Sequence, residues 1–219
     1  MKNKRLCAVI FGPQGSGKGT QGELLADRFD VPLIGAGDLF RAEIAKGTQL
    51  GKLAKEYIEA GNLAPDELVN GIMAKQLKTL DLSHGFILDG YPRDVDQAQN
   101  LQRILPPNVA IAIKLSDDLA VKRLASRLQC IRCKAVYSVT SNPPVRPGIC
   151  SLCGGKLHRR SDDNEKTIRA RLSAYHFMTE PLSRFYREKG ILLSVNGEQD
   201  VPYVFEDLIK KLAKLGFIA

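Results

Sequence analysis

Gly12-Pro-Gln-Gly-Ser-Gly-Lys-Gly-Thr20 follows the apolar run Leu6–Phe11 and precedes a helical pattern that reaches Phe29. The order is strand, glycine-rich loop, helix. Gly12, Gly17 and Lys18 satisfy the G-x4-G-K spacing. Such glycines let successive backbone N–H groups turn inward around phosphate oxygens, the lysine reaches the terminal phosphates, and the helix N-terminus adds its dipole. Gly19 stands where Ser or Thr commonly follows the lysine, so the magnesium-facing hydroxyl is assigned to Thr20.

The rest of the chain agrees with a phosphate loop set in a parallel sheet. Short apolar runs recur at Leu6–Phe11, 32–34, 86–88, 109–115 and 191–195, each followed by turn residues and a helical pattern. Strands alternating with helices imply an α/β fold, a five-stranded parallel sheet covered by helices on both faces. Leu50, Leu53, Ala54, Tyr57 and Ile58 repeat at helical spacing, as do Val201, Val204, Phe205, Leu208, Ile209 and Leu212. Both stripes are expected in the core. A helix from about Asn164 carries Ile168, Leu172 and Tyr175 on one face, and Pro181 is expected to end or kink it near Thr179.

Two segments interrupt this alternation. Residues 35–64 hold two short helical patterns where one crossover would suffice, and residues 126–163 are rich in Pro, Gly, Cys and basic side chains. The expected organisation is a core from 1–34, 65–125 and 164–219, an insertion at 35–64 and a lid at 126–163, with hinges near 126–127 and 161–163.

The chain has 219 residues, 44% of them hydrophobic, which suffices for a full core. The first apolar run is six residues long, too short for a signal-peptide core or a membrane span, so a cytoplasmic protein with no membrane partner is expected. The net charge is +8, and residues 126–163 hold seven Lys/Arg against two Asp. Nucleic acid, acidic lipid and a small polyanion all suit such a surface. Tyr137 is the one aromatic in that segment, which argues against stacking on single-stranded nucleic acid.

Cys130-Ile-Arg-Cys133 and Cys150-Ser-Leu-Cys153 are separated by sixteen residues and match the pattern of a single tetrahedral metal. Four thiolates close the shell, so the ion staples a small segment and activates no water. Zinc is expected, and iron suits the same donors. Cys7 is left over as a buried strand residue, and His158 as a surface residue.

Asp89 ends the third apolar run within Leu88-Asp-Gly-Tyr-Pro-Arg93, where a carboxylate beside a phosphate loop is suited to magnesium. Arg41, Arg93, Arg123, Arg127, Arg160 and Arg171 stand where loops meet helices, and planar guanidinium forks neutralise a transferring phosphoryl group. No nucleophilic triad or catalytic carboxylate pair is evident. That absence suits a nucleoside monophosphate acceptor, whose oxygen is already anionic and needs no general base.

Nearly end to end, the chain resembles the adenylate kinases, in particular the bacterial form with a long metal-bearing lid. The resemblance implies transfer of the γ-phosphoryl group of Mg·ATP to AMP by a monomer, with Mg²⁺ and a structural Zn²⁺ as cofactors. Gly15, Ser16, Gly17, Lys18, Gly19 and Thr20 then bind ATP phosphates, and Val136, Tyr137 and Gln199 contact its base. Arg41, in Gly37-Asp-Leu-Phe-Arg41, takes the AMP phosphate, while Ala36, Asn62, Leu63 and Ala64 line the AMP pocket. Asp89 orients magnesium-bound water; Gly90, Tyr91, Pro92 and Arg93 bind AMP; Gln97 reads the adenine edge. Arg123, Arg127, Arg160 and Arg171 clamp phosphates, Arg160 and Arg171 on the AMP side as well, with Arg127 stacking on the ATP adenine.

Gly35-Ala36 departs from the Ser-Thr usual in that family, and an alanine at the second position is reminiscent of pyrimidine monophosphate kinases. CMP or UMP is therefore the rival acceptor. A more remote alternative is an ATP-switched nucleic-acid binder built on the cysteine knuckles.

Overall fold

A computed structural model describes residues 4–60, 65–139, 142–160 and 163–218. Five strands, β1 (Leu6–Phe11), β2 (Leu33–Gly35), β3 (Gly85–Asp89), β4 (Val109–Lys114) and β8 (Leu192–Asn196), form one sheet in the order β2-β3-β1-β4-β8. Every pairing is parallel; Val9 lies opposite Leu88 on one side and Ala110 on the other. The chain runs from β1 to the edge strand β2, returns to β3, and then crosses to β4. This places the reversal of strand order at β1, where open α/β sheets build their ligand crevice outside the strands' carboxyl ends.

Both faces of the sheet are buried. Val9, Phe11, Phe86, Leu88 and Ala110 pack toward Met73, Leu101, Leu182 and Tyr186. Ala8, Ile10, Ile87 and Ile111 pack toward Leu25, Leu208 and Leu212. The continuous apolar runs are what such doubly covered strands require. Cys7 lies on β1 as expected but is half-buried rather than buried.

The covering helices are α1 (Lys18–Phe29), α2 (Ala36–Ala45), α3 (Gln49–Ala60), α4 (Asp66–Leu77), α5 (Val95–Ile104), α6 (Asp117–Ala125), α7 (Glu165–Ala174), α8 (Leu182–Glu188) and α9 (Val201–Lys214). Asn164 caps α7 by accepting from Thr167 N. A π-helical turn, Tyr175–Thr179, follows directly, and Pro181 separates it from α8, as the sequence leads one to expect.

Two stripes need correction. On α3, Leu50 and Leu53 are 37% and 53% exposed, whereas Gly51 and Ala54 are buried. The reason is a close crossing: a Cβ at Gly51 would lie 2.1 Å from Glu43 O on α2. Small residues therefore make the contact, and the leucines one position earlier turn outward. On α9, Val204, Leu208 and Leu212 are buried, but Val201, at the first turn, is 44% exposed.

Residues 126–163 carry a second, antiparallel sheet in the order β6-β5-β7, from β5 (Arg127–Cys130), β6 (Val136–Ser138) and β7 (Leu157–His158). Its small core is Cys130, Tyr137, Cys150 and Leu157. No helix among the described residues is long and apolar enough to cross a membrane.

Candidate active site

The loop leaving β1 is shaped by what its glycines permit. A Cβ at Gly12 would lie 2.4 Å from Ile113 O of β4, so only glycine passes there. Gly15 and Gly17 hold φ values of 84° and 86°, the left-handed region that other residues enter at a cost. Gly17 starts α1, accepting from Gln21 N at 2.9 Å. Ser16 Oγ is buried without a hydrogen-bond partner among the described residues, and Lys18 Nζ reaches back to Pro13 O at 3.4 Å. Thr20 lies half-buried in the first turn of α1.

β3 delivers Asp89 to the same place. A Cβ at Gly19 would stand 3.5 Å from Asp89 Oδ2, so the carboxylate lies against the first turn of α1, and Asp89 Oδ1 is buried without a partner. A buried, unpaired carboxylate oxygen calls for an explanation, and a cation or its water supplies one. The chain then turns at Gly90, with φ 74°, and through a cis Tyr91–Pro92 bond. That turn folds Arg93 back so that Nε donates to Gly90 O at 2.9 Å.

The electrostatics show how closely the cations converge. Burial lowers Lys18 to about 8, with Asp89 opposing and Arg93, Arg127 and Arg171 adding to the fall. Burial likewise lowers Arg93 to about 10, helped by Arg171 and Arg41 and opposed by Asp89. Asp89 is raised by burial, against the pull of Lys18, Arg93 and Arg41. Lys18, Arg41 and Arg93 thus act on the Asp89 carboxylate and Arg127 and Arg171 on Lys18, while Asp38 and Asp163 pair with Arg41 and Arg127. The net positive charge left in the cleft is complementary to a polyphosphate.

Other expected residues have partners of their own. Arg41 pairs with Asp38 across the first turns of α2, its guanidinium 3.2 Å from where a Cβ at Gly37 would be. Ala36 is 1% exposed, about 4.0 Å from a Cβ built at Gly90. Tyr91 is buried, its hydroxyl donating to Asn70 Oδ1. Gln97 is buried; its Oε1 accepts from Arg93 N and its Nε2 donates to Asp66 Oδ1. Asn62, Leu63 and Ala64 lie outside the described residues.

Arg123 donates to Gly197 O at 2.7 Å, Gly15 O at 3.3 Å, Glu198 O at 3.2 Å and Gln199 O at 3.4 Å, tying the phosphate loop to the β8–α9 loop. Arg127 makes a bidentate pair with the buried carboxylate of Asp163, 2.8 Å from Nε to Oδ2. It is Arg127, not Arg123, that bears on Lys18. Arg160 lines a depression beside Asp163 and Ile168. Gln199 Nε2 donates to Asp207 Oδ2 at 3.1 Å.

The two lid positions expected to touch a base differ. Val136 is exposed, whereas the Tyr137 side chain is turned into the core of the second sheet, its hydroxyl 3.4 Å from Cys150 Sγ and accepting from Ser151 N. Tyr137 therefore has only backbone to offer a nucleotide in this arrangement, because its ring fills the lid's interior.

The four cysteine sulfurs of Cys130, Cys133, Cys150 and Cys153 all lie within 4.8 Å of one another. The Cys130–Cys153 and Cys133–Cys150 sulfur pairs stand at 3.5 Å. A tetrahedron with metal–sulfur bonds of about 2.3 Å has edges of about 3.8 Å, so the donors fit such an ion. Arg132 N points at Cys130 Sγ, 3.4 Å away, in the manner of groups that orient thiolate ligands. His158 is exposed on β7 and outside this set.

Sequence reasoning missed three features: the Asp163 partner of Arg127, the carbonyl cradle of Arg123, and His176, which bridges Asp117 and Glu180 at 2.9 Å each. The first pair is 36 residues apart and the Arg123–Gly15 pair 108, so no local spacing announces either.

Comparison with known proteins reads the same way. The family described as "Adenylate kinase" matches residues 10–191. The chain is 43% identical over 211 residues to "Adenylate kinase" of Methanosarcina acetivorans, covering 94% of this chain and 98% of that protein. It is 44% identical over 207 residues to "Adenylate kinase" of Desulfitobacterium hafniense, covering 92% and 95%, and 43% identical over 212 residues to that of a Geobacillus species, covering 94% and 98%.

Proposed function

This chain belongs to the adenylate kinase family, and from that premise we propose that it transfers the γ-phosphoryl group of Mg·ATP to AMP in one in-line step, giving two ADP. The observation that carries the reading is a linked set of charges outside the sheet's carboxyl edge: Lys18, Arg93 and Arg41 act on Asp89, and Arg127 and Arg171 act on Lys18. Positioning and electrostatic stabilisation suffice for phosphoryl transfer between groups that are already anionic.

In this reading residues 15–20 cradle the ATP phosphates, with Lys18 serving the transferred group. Asp89 and Thr20 would hold magnesium, which when bound would supply positive charge to the phosphates. Arg127 and Arg171 bear on Lys18, which supports a phosphate role for both. Arg123 borders the β8–α9 loop that includes Gln199, so it suits the base side of ATP better than Arg127, for which stacking was expected. On the acceptor side Arg41 and Arg93 take the AMP phosphate, Ala36 walls the pocket and Gln97 faces the base. Residues 35–64 and 126–163 act as the moving insertion and lid. Cys130, Cys133, Cys150 and Cys153 hold zinc, which supplies folding free energy to the lid and no chemistry.

The test is product stoichiometry. Incubation with Mg·ATP and AMP should consume one of each for every two ADP formed, with little phosphate released when AMP is omitted. Steady ATP hydrolysis indifferent to AMP, or activation by RNA or DNA, would remove the kinase reading. A pyrimidine acceptor remains the second reading because Ala36 brings no hydroxyl to the pocket wall.

A further inference from the structure

Gln97 is held at both ends of its amide. Nε2 donates to Asp66 Oδ1 at 2.6 Å, and Oε1 accepts from Arg93 N at 2.9 Å. Its own backbone N–H donates to Asp94 Oδ1 at 2.8 Å, which fixes the root of the side chain, and the residue is 2% exposed. The two amide partners have characters that cannot be exchanged. A backbone N–H only donates, and a carboxylate at neutral pH only accepts. Rotating the amide by half a turn would set Oε1 against the Asp66 carboxylate and the NH₂ group against Arg93 N–H. Both bonds would be lost and two repulsive contacts made.

The polarity of the amide is thus set by the protein before any base arrives. A primary amide has two hydrogens and two lone pairs, and these contacts use one of each. What is left is a donor beside an acceptor in a fixed order. A 6-aminopurine presents N6–H, a donor, beside N1, an acceptor. A 6-oxopurine presents O6, an acceptor, beside N1–H, a donor. Seated in the same position, the two bases demand opposite orientations of one amide.

We propose that Asp66 is a positioning residue that sets the selectivity of the acceptor site for 6-aminopurine over 6-oxopurine monophosphates, by locking the orientation of the Gln97 amide against Arg93 N. The proposal rests on the reading that Gln97 faces the acceptor's base. Asp66 itself need not touch the nucleotide.

The experiment measures kcat/KM for AMP and IMP with Mg·ATP on the full chain and on Asp66→Ala, Asp66→Asn and Gln97→Ala. Asp66→Ala should lower the AMP:IMP ratio by about tenfold or more, since the lost bond is to a charged group. Asp66→Asn should fall between, because its carbonyl oxygen can still accept from Nε2, and it carries the test should the alanine variant fail to fold. The KM for ATP should not move. A structural role alone would depress both acceptors equally, and that result would overturn the proposal. A ratio that collapses in Gln97→Ala but stays at the wild-type value in both Asp66 variants would overturn the locking role and leave the base contact standing. A ratio unchanged in Gln97→Ala would remove the base contact and the proposal with it.

Discussion

At the scale of the residue, Lys18 is where burial and function pull against each other. Its ammonium is held near 8 instead of the ordinary 10.5, chiefly by burial and then by neighbouring guanidinium groups. In the nucleotide-free chain this disfavours folding fully below about pH 8, and the penalty fades as pH rises toward 10.5, because the unfolded state then binds more protons. A polyphosphate reverses the balance by restoring the charged form. ATP binding should therefore take up about half a proton near pH 8 and almost none at pH 6. Calorimetry in buffers of differing ionisation enthalpy reads this directly, and Lys18→Ala should abolish the uptake while lowering turnover by roughly 10²–10³. Uptake that persists in the variant would assign the proton elsewhere. Residues of this kind were legible in the sequence because their chemistry is local: the spacing from Gly12 to Thr20 and the two Cys-x2-Cys pairs each fit within one turn or loop. Asp163, Asp66 and the carbonyl partners of Arg123 were not, since each is joined to a partner far along the chain.

At the scale of the element, the proposed lid holds a three-stranded sheet whose buried core, among the described residues, is four side chains, too little to be stable alone. Two of those four are cysteines of the sulfur cluster, so the proposed ion and the core are one structure. Elemental analysis should find one metal per chain. Cys130→Ser with Cys133→Ser should make residues 126–163 susceptible to protease at temperatures where the wild-type chain resists, while phosphoryl transfer stays measurable in the cold with Mg²⁺ in excess. Loss of all turnover with the lid still protease-resistant would give the ion a chemical role instead. The helices teach a different lesson. Periodicity located α3 and α9, yet the buried line on α3 is Gly51 and Ala54 rather than the leucines, because a close helix crossing selects small residues over large ones. Apolar spacing reports which residues repeat, not which face a neighbour approaches.

At the scale of the whole molecule, the order β2-β3-β1-β4-β8 puts the phosphate loop and Asp89 side by side at the sheet's carboxyl edge, where Arg41 of α2 and Arg127 of β5 add their charge. The architecture was legible from five apolar runs, whereas the contacts of Gln97 with Asp66 and Arg93 were not. Ala36 and Gln97, which the proposal places in the acceptor pocket, are both buried, one bringing no polar group and the other an amide already oriented. A pocket with one oriented amide discriminates by hydrogen-bond order more than by shape. The central claim, that the acceptor is AMP, is met most directly by assaying AMP, CMP, UMP and GMP at equal concentration with Mg·ATP and comparing kcat/KM. The account predicts AMP highest, with UMP and GMP, whose edges present the opposite order, lowest. CMP or UMP exceeding AMP would contradict it.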